Sequence, residues 1–317
     1  MNREEFENCI NKLNEIKTLK DNWNDNGASA FSEELINKVK KFINYNIYTP
    51  EIFPTAANSI QLEYENQHKE YLELEFKEEK IELFKIDKNN NETTLMFSYN
   101  EIFKIINIIK IFFNENLENA VLFTGAFNPP TIAHYHMIQS VLENKQKEFN
   151  YVIFALSNDK FLSKKQAKQK DWYYNEQERL QMILEMTAQN PNVLIYGIEN
   201  GYTYEVLNAT QKEFGCKNLY FACGSDKLNE INRWGFHDKL LKEFGFYILL
   251  RTDDENDARK KCENLFKDTY YILGRDNEKY KNISATLVRQ KIKNNENFDD
   301  LLEPNVSNYI REKLNDN

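Results

Sequence analysis

From residue 119 onward, short apolar runs alternate with longer amphipathic stretches. The runs are Ala120–Thr124, Tyr151–Leu156, Val193–Ile198, Asn218–Ala222, Phe246–Leu250 and Thr269–Leu273. Each has the length and the Val, Ile, Phe or Tyr content of a buried strand. Between them lie stretches with helical spacing: Asn175–Ala188 carries Leu180, Met182, Ile183 and Met186, and Tyr204–Phe214 is another. Strands separated by helices predict βαβ units and a mostly parallel sheet. Sheets of that kind bind ligands beyond the carboxyl ends of their strands. The loop after Thr124 and the loop after Ala222 (Cys223-Gly224-Ser225-Asp226) fall at such ends.

The chain before residue 119 has a different rhythm. A helix over Arg3–Ile16 precedes a turn-rich loop, Asp21 to Ala28, and a second helix covers Ser32–Asn44. Runs of alternating polarity follow at Ser59–Glu65, Glu70–Phe76, Lys80–Ile86 and Thr93–Phe97. Turns such as Asn66-Gln67-His68 join them, which predicts an antiparallel meander. Tyr99–Phe113 reads as a closing helix. The expectation is a small N-terminal α+β domain over residues 1–118 and an α/β domain over 119–317.

Composition narrows the function classes. A chain of 317 residues accommodates two domains, and 41% hydrophobic with 14% aromatic content suits packed cores. The net charge of −9 argues against a broad nucleic-acid surface, although an acidic protein can hold a local basic pocket for phosphates. Cys9, Cys216, Cys223 and Cys262 fit no zinc or redox spacing, so they read as reduced thiols of a cytoplasmic protein. The charged N-terminus is no signal peptide. The longest apolar run, around Ile102 to Phe113, is interrupted by Lys and Asn and too short to span a bilayer, so no membrane partner is expected.

The chemistry is concentrated in two segments. Val121 to His136 reads VLFTGAFNPPTIAHYH, a strand ending in a tight loop that opens a helix. Helix starts present unpaired N–H groups and the positive end of the macrodipole, which favour phosphate. Gly125 carries no Cβ, Pro129 and Pro130 stiffen the turn, Thr131 can cap the helix, and His134 falls on its first turn. Far downstream, Ile283-Ser-Ala-Thr-Leu-Val-Arg289 offers two hydroxyls, Ser284 and Thr286, and a guanidinium fork. The first segment resembles the (H/T)xGH signature of the nucleotidyltransferase superfamily in its longer form GxFxPx(H/T)xxH, and the second resembles that superfamily's ISxTxxR signature. Position 133 is Ala where many members carry Gly, and Ala285 replaces a common Ser.

The resemblance covers about Asn119 to Leu314 and sharpens within the superfamily. Glu178-Arg179-Leu-Gln-Met182 is similar to the ERxxM helix of nicotinamide/nicotinate mononucleotide adenylyltransferases. Asn200-Gly-Tyr-Thr203 with Leu207, Gly224-Ser-Asp226, then Trp234 and Arg251, and Leu302-Glu-Pro304-Asn-Val306 with Tyr309-Ile310 follow that family's order. The resemblance implies a Rossmann-like doubly wound parallel sheet. It also implies adenylyl transfer from ATP to nicotinamide or nicotinate mononucleotide, giving the dinucleotide and pyrophosphate, with Mg²⁺ bound mainly through the ATP phosphates and no metal site in the protein. His134, Arg289 and Lys164 are then the catalytic candidates. Gly125, Phe127, Thr131, His134, Gly224, Asp226, Ser284, Thr286 and Arg289 are expected at ATP, and Lys165, Tyr202, Thr203, Trp234 and Arg251 at the mononucleotide. Arg179 is expected to brace the fold by an ion pair, and His136 to be structural. Alternatives are a pantetheine-phosphate adenylyltransferase, a cytidylyltransferase, or a non-catalytic nucleotide sensor. A homo-oligomer, and a protein partner for the N-terminal domain, complete the expectations.

Overall fold

The computed structural model describes residues 1–114, 117–160, 162–163, 174–198, 201–250, 255–267, 271–275, 279–280 and 282–315. Internal contacts divide the chain into two compact units, residues 1–115 with 188–191, and residues 116–187 with 192–317. Among the described residues, no helix is long and apolar enough to cross a membrane. The four cysteines are free thiols, three of them buried.

The first unit combines helices α1 (Arg3–Lys17), α2 (Glu33–Tyr45) and α3 (Ile102–Phe113) with strands β1 (Glu51–Pro54), β2 (Ile60–Glu65), β3 (Tyr71–Phe76), β4 (Ile81–Ile86) and β5 (Glu92–Phe97). The strands pair antiparallel in chain order. Period-two patterning decides which face is buried. Ile60, Leu62, Tyr64, Leu72, Leu74 and Phe76 are buried, while Glu63, Glu73 and Glu75 alternate with them. Phe42 of α2 meets Phe76 of β3 with ring centroids 5.0 Å apart. Asn2 and Ser32 cap α1 and α2, each accepting a backbone N–H through its side chain. Strand β1 has no counterpart in the sequence reading. Its four residues are too few to show alternation, and Pro54 is tolerated because β1 is an edge strand.

The second unit is a six-stranded parallel sheet of β6 (Asn119–Gly125), β7 (Tyr151–Ser157), β8 (Val193–Ile198), β9 (Asn218–Gly224), β10 (Gly245–Leu250) and β11 (Tyr271–Arg275). The spatial order is β11-β10-β9-β6-β7-β8. The first strand is central, the next two extend to one side, and the last three extend to the other. That is the doubly wound Rossmann order, with its switch point between β6 and β9. Strands β6 and β7 are buried almost throughout, from Ala120 to Phe123 and from Tyr151 to Leu156, as expected of a sheet covered on both faces. The helices are α4 (Ile132–Leu142), α5 (Glu176–Thr187), α6 (Thr203–Phe214), α7 (His237–Glu243), α8 (Glu255–Leu265), α9 (Ala285–Lys293) and α10 (Pro304–Asn315).

The last strand covers Tyr271–Arg275 and so continues through Gly274, past the expected end at Leu273; Thr269 and Tyr270 of the expected span lie outside the described residues. A Cβ on Gly274 would lie 2.3 Å from the Tyr247 hydroxyl, so glycine is present because a ring crosses the strand, not because the strand ends. At the C-terminus, Pro304 occupies the first position of α10, which its fixed φ favours. Val306 and Ile310 are fully buried, and α10 packs on the ERxxM helix α5.

Candidate active site

Phe123 of β6 is in register with Ala222 of β9, and each strand ends two residues later, at Gly125 and Gly224. The loop Ala126–Thr131 and the turn Ser225–Lys227 therefore leave the sheet side by side at its switch point. Helix α4 starts directly after the first loop, with Thr131 as its N-cap. Its N-terminal dipole is thus directed at the place where ligands collect in this fold.

His134 is fixed by that cap. The backbone N–H of Thr131 donates to His134 Nδ1 at 2.8 Å, and the Thr131 hydroxyl lies 2.9 Å from the same nitrogen. An N–H can only donate, so Nδ1 carries no proton. The ring is the neutral tautomer with its proton on Nε2, which makes Nε2 a donor. The Phe127 ring packs edge-on against His134 at 5.1 Å and against Phe154 at 5.1 Å.

Gly125 is required by packing as well as by the turn. The space beside its Cα is filled by Phe127, whose ring would lie 2.9 Å from an added Cβ. Phe127 is itself 5% exposed, so its ring faces the interior and only its backbone remains to meet a ligand. Gly125→Ala should push this ring off His134 and destabilise the protein by about 1–3 kcal/mol, the usual cost of overpacking. Urea titration measures this, and an unchanged midpoint would show that the ring moves without cost.

The downstream segment meets the same loop. Arg289, on the second turn of α9, is 4% exposed. Its Nη1 donates to the Asn128 carbonyl at 2.6 Å and its Nη2 to Thr286 Oγ1 at 3.2 Å. Ser284 is the N-cap of α9 and accepts from the Leu287 N–H at 3.2 Å. The two segments, remote in sequence, form one structure. His136 is directed elsewhere, stacking on Tyr280 at 3.9 Å and hydrogen-bonding Gln139.

A second guanidinium lies beneath the loop. Arg179 is fully buried and makes the expected ion pair, its Nη2 2.9 Å from Asp159 Oδ1. It does more than this: Nη1 donates to the Ala126 carbonyl at 2.7 Å and Nε to the Tyr174 carbonyl at 3.0 Å. The Tyr174 N–H donates to Asn128 Oδ1 at 2.9 Å. Ala126, Asn128, Asp159 and Tyr174 were absent from the sequence candidates. The local signal was Asn128, which stands within the motif between Phe127 and the two prolines.

The remaining candidates sit as follows. Asp226 is half-exposed in the turn after β9, 3.7 Å from the Lys227 ammonium. Tyr202, the N-cap of α6, is 58% exposed, and its ring covers Gly235, where a Cβ would lie 2.4 Å away. Thr203 follows as the first residue of α6. Trp234 packs edge-on against Phe221 of β9 at 5.6 Å. Tyr202 and Phe236 therefore form one exposed aromatic surface, their ring centroids 5.4 Å apart. Lys164, Lys165 and Arg251 lie outside the described residues.

The sequence profile of the cytidylyltransferase-like family matches residues 122–291, more than half of the chain. The chain belongs to that family, within the nucleotidyltransferase superfamily. Among its relatives is a protein of Fusobacterium nucleatum subsp. nucleatum named "Probable nicotinate-nucleotide adenylyltransferase", 28% identical over 201 residues that cover 62% of this chain and 98% of the relative. One of the same name from Acholeplasma laidlawii is 28% identical over 200 residues, covering 61% of this chain and 94% of the relative. The solved nicotinic acid mononucleotide adenylyltransferase of Plasmodium falciparum, complexed with NaAD, is similar at 18% identity and a TM-score of 0.48, over 62% of this chain and 96% of that one.

Proposed function

We propose that this protein transfers the adenylyl group of ATP to nicotinate mononucleotide, or to its amide, forming the dinucleotide and releasing pyrophosphate. The observation that carries this reading is the Arg289 to Asn128 hydrogen bond, which joins the two phosphate-type segments at the switch point of the sheet. The names and near-complete coverage of the bacterial relatives support a pyridine mononucleotide as acceptor and favour the acid over the amide.

In this reading the 5′-phosphate of the mononucleotide is the nucleophile. It is anionic at neutral pH and attacks the α-phosphorus. The bond from that phosphorus to the bridging oxygen breaks, and pyrophosphate leaves. No covalent enzyme intermediate is needed, so the protein's work is alignment and stabilisation of phosphate charge. His134 Nε2–H, the N–H groups at the start of α4 and the Ser284–Arg289 segment are the donors. Tyr202, Thr203 and Trp234 are assigned to the pyridine ring, and Asp226 to the ribose hydroxyls of ATP. Lys164, Lys165 and Arg251 keep their assignments to phosphate and mononucleotide. Mg²⁺ enters with ATP, held on phosphate oxygens as is usual for this ion. Among the described residues, no group of three His, Cys, Asp or Glu side chains is placed to hold a metal.

The test is an assay of ATP and of CTP against nicotinate mononucleotide, nicotinamide mononucleotide and phosphopantetheine, read by pyrophosphate release and product mass. The expected product is the acid dinucleotide from ATP. Product from phosphopantetheine or from CTP alone would replace this reading, and no turnover with intact ATP binding would favour a sensor.

All the assigned residues lie after residue 116, so a fragment beginning near Leu117 is expected to fold and to keep at least a third of the full-length kcat. A soluble, monodisperse but inactive fragment would assign the N-terminal unit a role in completing or controlling the site.

A further inference from the structure

The fully buried guanidinium of Arg179 has more partners than bracing the fold requires. One ion pair to Asp159 would tie α5 to the end of β7, yet two further N–H groups are directed at backbone carbonyls. One of these, Ala126 O, belongs to the peptide that precedes Phe127. That peptide is trans, the single cis bond among the described residues being Asn128–Pro129. In a planar trans peptide the C=O and N–H point in opposite directions. Holding Ala126 O at 2.7 Å therefore turns the Phe127 N–H away from Arg179. Phe127 has a positive φ of 44°, a conformation that favours glycine, so this peptide orientation needs an external hold. Two residues on, the Asn128 carbonyl is held by Arg289 and its side-chain oxygen by the Tyr174 N–H. Because Arg179 also takes the Tyr174 carbonyl, it supports both ends of the Ala126–Asn128 turn.

We propose that Arg179 is a positioning residue for the phosphate site: by gripping the Ala126 carbonyl it aims the Phe127 N–H at an ATP phosphate oxygen, without touching the nucleotide itself. The inference rests on the adenylyltransferase reading for the identity of the anion. Arg179 makes a backbone donor out of a loop that would otherwise be free to rotate its peptide. A preset donor costs no reorganisation when phosphate charge shifts.

Three variants of the full-length protein test this. R179K keeps a buried positive charge for Asp159 but cannot reach three acceptors at fork geometry. D159N removes the ion pair and leaves the Ala126 grip. An ester at Phe127, introduced as phenyllactate, removes the single N–H in question and keeps the ring. Calorimetric Kd for ATP and for nicotinate mononucleotide, kcat and Tm are measured for each. The proposal expects R179K to weaken ATP and lower kcat at least tenfold, with mononucleotide Kd within threefold. D159N should lower Tm as much as R179K but change ATP Kd less than threefold, and the ester should weaken ATP at least fivefold. The proposal is overturned if R179K binds ATP within threefold of the parent, if D159N weakens ATP as much as R179K, or if the ester binds ATP like the parent. Should R179K fail to fold, the ester decides alone. A parent that binds ATP but adenylates no pyridine mononucleotide refutes the proposed function while the Kd comparisons still judge Arg179, and a parent that binds no ATP overturns both.

Discussion

His134→Ala is expected to lower kcat about a hundredfold or more while the protein stays folded. The ring is half-buried at the start of α4, and Thr131 fixes its tautomer, so that Nε2–H is the donor that the proposed mechanism assigns to phosphate. Loss of one preorganised donor to transition-state oxygen costs ~3–4 kcal/mol in comparable sites. The ring also packs on Phe127, so some stability will be lost with it. The control is His136→Ala, which removes a stacking contact with Tyr280 and should change kcat less than threefold. Steady-state kinetics at a temperature well below both Tm values separates the two effects. Near-normal kcat in the first variant would remove His134 from the mechanism. His134→Asn offers a finer check: a side-chain amide N–H can partly replace Nε2–H but holds no positive charge at any pH. Partial activity in this variant would agree with His134 acting as a neutral donor rather than as an acid, since an amide can donate a hydrogen bond but cannot give up a proton.

The order of strands and helices in the second unit was legible because buried parallel strands are continuous apolar runs bounded by polar loops, as Tyr151–Leu156 shows. The two phosphate-type segments were legible because glycine, proline and hydroxyl residues at fixed spacing leave a local record. What joins them left none. The hydrogen bond from Arg289 to Asn128 spans 161 positions, and that from Arg179 to Ala126 spans 53. Both acceptors are main-chain carbonyls, which every residue has, so no residue type marks them. Gly125 illustrates the same limit from the other side. Its lack of a Cβ was visible in the sequence, but that Phe127 rather than a ligand occupies the space depends on the positive φ of Phe127. Strand β1 was missed because Glu51–Pro54 buries only Ile52, and one inward residue makes no pattern.

Arg289→Lys is expected to raise the KM for ATP about tenfold or more and that for the mononucleotide less than threefold. The wild-type guanidinium spans two acceptors, the Asn128 carbonyl and the Thr286 hydroxyl, from a site only 4% exposed. A lysine keeps the charge but is a single point donor on a flexible stem, so it can satisfy one acceptor and not hold both. If it reaches for phosphate, the Asn128 carbonyl is left buried without its partner, at a cost of about 1–3 kcal/mol in stability. If it stays on Asn128, Thr286 is released and the proposed ATP site loses its fork. Either way the loss falls on the segment that joins α9 to the Ala126–Thr131 loop, and the residues proposed for the pyridine, Tyr202 and Trp234 among them, are left in place. Arg289→Ala should lose more in both Tm and kcat, because no donor remains for the buried carbonyl. The deciding measurement is the pair of KM values alongside urea midpoints. Equal loss for both substrates, scaling with lost stability across the two variants, would reduce Arg289 to a structural residue and take away the observation on which the adenylyl-transfer reading rests.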